Sequence, residues 1–88
     1  MTAINQNVTI NAFFFKDTPQ ERIEAFPRQM EYGNRQYTFQ DGLHRLVRRG
    51  QRIFELFDMT DGQTVFRLAR HDGMPMSEWR LIGTRASA

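Results

Sequence analysis

The sequence predicts a mainly β fold: an antiparallel meander of six or seven short strands that forms a small barrel or a strongly curved sheet. Three observations carry this. Turn-forming dipeptides recur at Gly33-Asn34, Asp41-Gly42, Arg49-Gly50, Asp61-Gly62 and Asp72-Gly73, at gaps of 8, 8, 12 and 11 residues, the spacing of short strands. Residues 28–39 alternate apolar and polar side chains with period two on both sides of Gly33-Asn34. Val8–Phe15 is an uncharged, proline-free run of high β propensity.

Taken in chain order, Val8–Phe15 is the first strand, and three consecutive phenylalanines there require cover on both faces. Thr18-Pro19-Gln20-Glu21 has the form of a capping box with proline at the first helical position. One short helix is therefore expected near residues 19–25, ended by Pro27. The competing reading runs the next strand back to Ile23.

Arg28–Tyr32, Gly33-Asn34 and Arg35–Phe39 form the clearest hairpin. A two-residue loop sets Met30 opposite Tyr37, Glu31 opposite Gln36 and Tyr32 opposite Arg35. One face then carries Met30, Tyr32, Tyr37 and Phe39, and the other Gln29, Glu31, Gln36 and Thr38. Asp41-Gly42 is expected to turn the chain again, setting His44 beside Phe39 and Leu46 beside Tyr37.

Gln51–Met59 and Gln63–His71 flank the turn at Asp61-Gly62, where two registers compete. A two-residue loop pairs Phe57 with Phe66 and leaves Glu55 facing Leu68. A type I turn closed by a Gly62 bulge pairs Glu55 with Arg67 and gathers Phe54, Leu56, Phe66 and Leu68 on one face. The bulged turn is preferred, because it keeps a carboxylate away from leucine and adds an opposite-charge pair. Trp79–Thr84 is the last strand, after a surface loop from Asp72 to Glu78. The ends, residues 1–7 and 85–88, are expected to fray. The whole chain, 1–88, reads as one small domain.

Composition removes several functional classes. With no cysteine, disulfide scaffolds, thiolate zinc sites and cysteine nucleophiles are excluded together. No run approaches the roughly 20 apolar residues of a membrane helix, and no charged-then-apolar leader opens the chain. A non-membrane, cytoplasmic setting is the expectation. Ser77, Ser87 and seven threonines offer no recognisable nucleophile elbow. The two histidines, His44 and His71, lack metal-ligand spacing. No catalysis, cofactor or metal is expected.

Two features remain. The chain holds eleven arginines and one lysine, Lys16. A GC-rich bacterial genome produces such a bias, and so does selection for guanidinium recognition of phosphate. Residues 28 to 52 carry six arginines against two acids, whereas residues 53 to 78 carry two against five. Arg45, Arg48, Arg49 and Arg52, with Arg35 near, are candidates for a nucleic-acid or polyanion interface. Arg45 and Arg49 share a parity and line one face with Val47 between them, while Arg48 points to the other face with Leu46. The plain alternative is a charged turn that discourages edge pairing.

The second feature is Val8–Phe15. As an exposed edge, Val8, Ile10, Phe13, Phe14 and Phe15 would template a homodimer or a protein partner. As a central strand, the same residues are simply core. The function expected is therefore a non-catalytic binding module, for polyanions through the arginines or for protein through the N-terminal strand.

Overall fold

The computed structural model describes residues 1–17, 23–71 and 78–87. Seven strands follow one another: β1 (Thr2–Asp17), β2 (Ile23–Tyr32), β3 (Arg35–Thr38), β4 (Asp41–Arg49), β5 (Arg52–Thr60), β6 (Thr64–His71) and β7 (Trp79–Ala86). They form one antiparallel sheet in the order β3-β2-β1-β7-β6-β5-β4. The sheet is open, since no ladder joins β3 to β4.

It is nevertheless strongly curled. Phe26 on β2 meets Phe57 on β5 edge-to-face at 5.6 Å, although three strands separate them in the order. Where the edge strand β4 comes round to β1, side chains take the place of a ladder. Lys16 donates to the Asp41 carboxylate at 2.7 Å and to the Gly42 carbonyl at 2.9 Å, capping the exposed edge of β4. The link from β3 to β4 also bonds to separate strands: Phe39 N–H donates to Arg28 C=O on β2, and Gln40 N–H to Thr60 C=O on β5.

The first hairpin has the expected register, Met30 with Tyr37, Glu31 with Gln36 and Tyr32 with Arg35. Gly33 and Asn34 both have positive φ, 60° and 62°, as a two-residue loop matched to strand twist requires. Met30 and Phe39 are fully buried, with Tyr32 and Tyr37 packed against them.

The helix near residues 19–25 is not found. Residues 18–22 lie outside the described residues, while 23–25 belong to β2, paired as Asp17–Ile23, Lys16–Glu24 and Phe15–Ala25. Tertiary cover decides this. Phe26 stacks on Phe14 at 5.6 Å, and Pro27 sits opposite Phe13, so β2 supplies the cover that the phenylalanine run needs.

The Asp41-Gly42 turn is also corrected. Both residues lie inside β4, which pairs with β5 rather than β3, with Asp41 opposite Thr60 and His44 opposite Phe57. His44 and Leu46 therefore do not sit beside Phe39 and Tyr37.

Neither register foreseen for β5–β6 occurs. Phe57 pairs with Leu68, Asp58 with Arg67 and Glu55 with Arg70. Four residues, 61–64, connect the Thr60–Val65 pair, organised by Asp61, whose Oδ1 accepts the amides of Gln63 and Thr64 at 2.9 and 2.8 Å. Gly62 does have the positive φ expected, 98°. Phe57, Met59, Phe66 and Leu68 consequently share the inner face, while Phe54 and Leu56 point outward.

The strand ends are longer than expected. β1 starts at Thr2 and pairs with β7 from Thr2–Thr84 to Val8–Trp79, and β7 runs on to Ala86. β1 lies inside the strand order, but it pairs with β7 over Thr2–Val8 and with β2 over Thr9–Asp17, so each half of the strand has a ladder along one side. Val8 is buried, Ile10, Phe13 and Phe14 pack against the core, and Phe15 alone of the five is exposed.

Candidate nucleic-acid interface

Alternation along β4–β7 sorts the charged residues onto two faces. On the inner face, Trp79 and Leu81 of β7 alternate with Arg80 on the outer face. On β4 the odd positions point outward, so Arg45, Val47 and Arg49 share the outer face, as their parity requires. Arg45 lies opposite Leu56, and Leu56 opposite Ala69, which in turn faces Arg80. This row sets an arginine at each end and apolar side chains between. Three ladder steps separate its ends, about 14 Å.

Arg52 pairs with Arg49 across the β4–β5 turn and joins this face. Arg48 lies opposite Ile53 and belongs to the inner side. Arg35 is on β3, at the other edge of the strand order. Three of the five arginines singled out from the sequence thus share a face, and two do not. Arg67, Arg80 and Arg85 were missed. For Arg80 the signal was parity: once Trp79 and Leu81 are placed inside, Arg80 must point out. Arg85 shares their parity and reaches the outer face only because a bulge shifts the alternation of β7.

A cleft of about 370 Å³ opens in this face. Val47, Phe54, Leu56, Ala69 and Ile82 form its apolar lining. Arg49, Arg67 and Arg80 rim it. A bulge between Arg67 and Leu68 on the β6–β7 ladder leaves Ile82 without a partner opposite.

The electrostatics are one-sided. Asp58 accepts two hydrogen bonds from Arg67, to Nε at 2.8 Å and to a terminal nitrogen at 2.9 Å. These bonds hold the Asp58 carboxyl below its ordinary 3.8 despite the opposing effect of partial burial, with Arg45 and Arg85 adding to the same direction. The pairing raises the Arg67 guanidinium in turn. Arg45, Arg49, Arg52, Arg80 and Arg85 make no ion pair or side-chain hydrogen bond among the described residues. The face is therefore a cationic frame around an apolar centre.

The inner face handles charge differently. At one end of the curled sheet, a second cleft of about 300 Å³ is floored by Phe13 and Phe57 and edged by Glu24, His44, Glu55 and Arg70. His44 stacks on Phe57 at 4.5 Å and sets Nδ1 2.8 Å from Glu24 Oε2. Its Nε2 lies 3.3 Å from Glu55 Oε1 but off the line of a hydrogen bond. Arg70 Nε donates to Glu55 at 2.7 Å while its guanidinium covers the Trp79 ring at 5.1 Å. Each of the four ionic groups edging this cleft has a neighbour of opposite or complementary character. Among the described residues no group of three or more histidines and carboxylates has metal-binding geometry.

No protein-family model, curated protein or solved structure matches the chain. No helix among the described residues is long and apolar enough to cross a membrane.

Proposed function

We propose that the domain is a non-catalytic, cytoplasmic binding module for nucleic acid or a similar polyanion, engaged by the outer face of β4–β7. One observation carries this reading. Five arginines, Arg45, Arg49, Arg52, Arg80 and Arg85, stand on one face without a carboxylate partner among the described residues, and Asp58, the acid among them, is already held by Arg67. Guanidinium groups are weakly hydrated and fork-shaped, which suits them to phosphate oxygens. Unpaired cations on one face raise the local concentration of anions and speed their capture.

The spread of these arginines favours a polymer over a single small anion. Arg45 and Arg49 lie four residues apart on one strand, about 13 Å. Arg80 is three strands away. A lone phosphate reaches one or two of these positions, whereas a chain of phosphates reaches all of them.

The test is a fluorescence-anisotropy titration of the purified protein against a labelled oligonucleotide at rising salt. Binding that weakens steeply, with log affinity falling linearly against log salt, is the expected result. Absence of binding at low salt, where phosphate contacts are strongest, overturns the reading.

A further inference from the structure

We infer that the outer-face cleft takes an unpaired base, which makes single-stranded nucleic acid the ligand of this module. The inference rests on the polyanion reading and extends it from charge to the chemistry of the cleft. The arginine frame alone would accept duplex DNA, a sulfated polysaccharide or polyphosphate equally well. The centre of the frame discriminates among them. It is a concavity of about 370 Å³ lined by Val47, Phe54, Leu56, Ala69 and Ile82. Its volume lies at the lower end of the range of ligand clefts.

Such a lining gains nothing from a sulfated sugar or a bare phosphate chain. A duplex presents its backbone outward and keeps its bases stacked inside, so the cleft would stay unfilled beneath it. A single strand is a repeating anion that also carries flat, apolar-faced groups. Bases that leave the strand axis can lie against apolar and aromatic side chains while the flanking phosphates meet cations.

The geometry allows both at once. Arg49 and Arg80 rim the cleft itself, and Arg45 stands at the other end of the row that runs over Leu56 and Ala69 to Arg80. A base in the cleft thus has cations to either side, within reach of the phosphates before and after it. Arg67 contributes less charge to the ligand, because Asp58 holds it. Its role is to fix the cleft wall.

The experiment compares three labelled probes of equal length on the full chain: oligothymidylate, the same backbone made abasic, and a duplex. Each is titrated against the wild type, Leu56→Ala and Arg80→Gln. Thermal unfolding confirms that each variant is folded. Oligothymidylate should bind about tenfold or more tightly than the abasic strand, the scale of one base contact. Leu56→Ala should erase most of that ratio while leaving the abasic affinity in place. Arg80→Gln should weaken all three probes together. Equal affinity for the three probes, unchanged by Leu56→Ala, overturns the base-binding inference and leaves the polyanion reading standing. No binding of any probe at low salt overturns both.

Discussion

The two faces of β4–β7 use similar residue types to opposite ends. Inside, Glu55 meets Arg70 and approaches His44, Glu24 meets His44, and the aromatic rings of Phe57 and Trp79 sit directly against these groups. Outside, Arg45, Arg49, Arg52, Arg80 and Arg85 surround apolar side chains, and Asp58 on the same face is held by Arg67. A charge in the buried part of the inner face must be matched because burial strips away its water. Arg48, on the same side but exposed, has no ion pair among the described residues. An arginine on the outer face keeps its hydration and needs no partner to fold. Unmatched charge on the outer face therefore carries information about ligands that matched charge on the inner face does not.

The comparison breaks first at the core. Leu68 is fully buried on the inner face, and Leu56 is half-buried on the outer one, yet both are leucines in neighbouring strands. Leu68→Ala should cost about 2–5 kcal/mol by leaving a cavity among Phe57, Met59 and Phe66. Leu56→Ala should cost well under half as much, because its site already opens to solvent. Urea unfolding of the two variants measures the difference. Similar losses would mean that the outer cleft is core rather than a site.

The second prediction concerns the turn that assigns residues to faces. Gly62 has φ 98° and its Cβ would approach Gln40 Oε1 to 3.3 Å. Gly62→Val should destabilise by about 1–3 kcal/mol through backbone strain. Gly62→Asn, which tolerates positive φ better, should recover part of it. Thermal unfolding reads both. An unaffected Gly62→Val would show that the loop relaxes without disturbing the register.

That turn is also where the sequence was least legible. The β2–β3 hairpin could be read because Gly33-Asn34 admits one tight loop and the alternation on both sides agrees with it. At Asp61-Gly62 the dipeptide suits short loops, and the choice between them rests on keeping a carboxylate away from leucine. Glu55 does share a face with Phe57 and Leu68, but Arg70, fifteen residues on, reaches it. A rule about isolated residues cannot see a partner that only the register brings close. The helix expected near residues 19–25 failed for a related reason. A capping box is a local signal, whereas the need to cover Phe13 and Phe14 is a tertiary one. Within the candidate site, Arg45, Val47 and Arg49 were legible from parity along one strand. Parity on β7 also turns Arg80 outward, but only the β7–β6–β5 ladders bring it onto this face, and Arg85 follows after a bulge that parity does not foresee.

The third prediction uses acid. Arg67 holds Asp58 below its ordinary 3.8, so folding favours the ionised carboxylate. The stabilisation is present above that value and is lost as pH falls through it toward the lower value of the folded state. Asp58→Asn should therefore lower stability by about 1 kcal/mol at neutral pH. The gap between variant and wild type should narrow steadily below about pH 4. A gap that stays constant with pH would assign the loss to packing rather than to charge. The same substitution releases Arg67, which sharpens the contrast between faces by adding an unpaired arginine to the outer one. Oligonucleotide affinity should rise as stability falls.

The smallest effect on folding is expected where the effect on binding is largest. Arg45→Gln, Arg49→Gln and Arg80→Gln together remove three charges from the frame. All three residues are exposed, and none has an ion pair among the described residues. Glutamine keeps much of the aliphatic stem and accepts the extended backbone. The unfolding midpoint should move little, within the change expected for unpaired surface charges. The slope of log affinity against log salt should fall by about 2–3 if each arginine meets one phosphate. Arg48→Gln is the matched control, because Arg48 lies on the same strand but opposite Ile53 on the inner side. It removes the same charge from nearly the same place in the chain. If charge alone attracts the ligand, Arg48→Gln should flatten the slope as much as Arg49→Gln does. If the outer face is the site, Arg49→Gln should flatten it and Arg48→Gln should leave it nearly unchanged. One residue of sequence separates the two positions, and the difference between them reads the face directly.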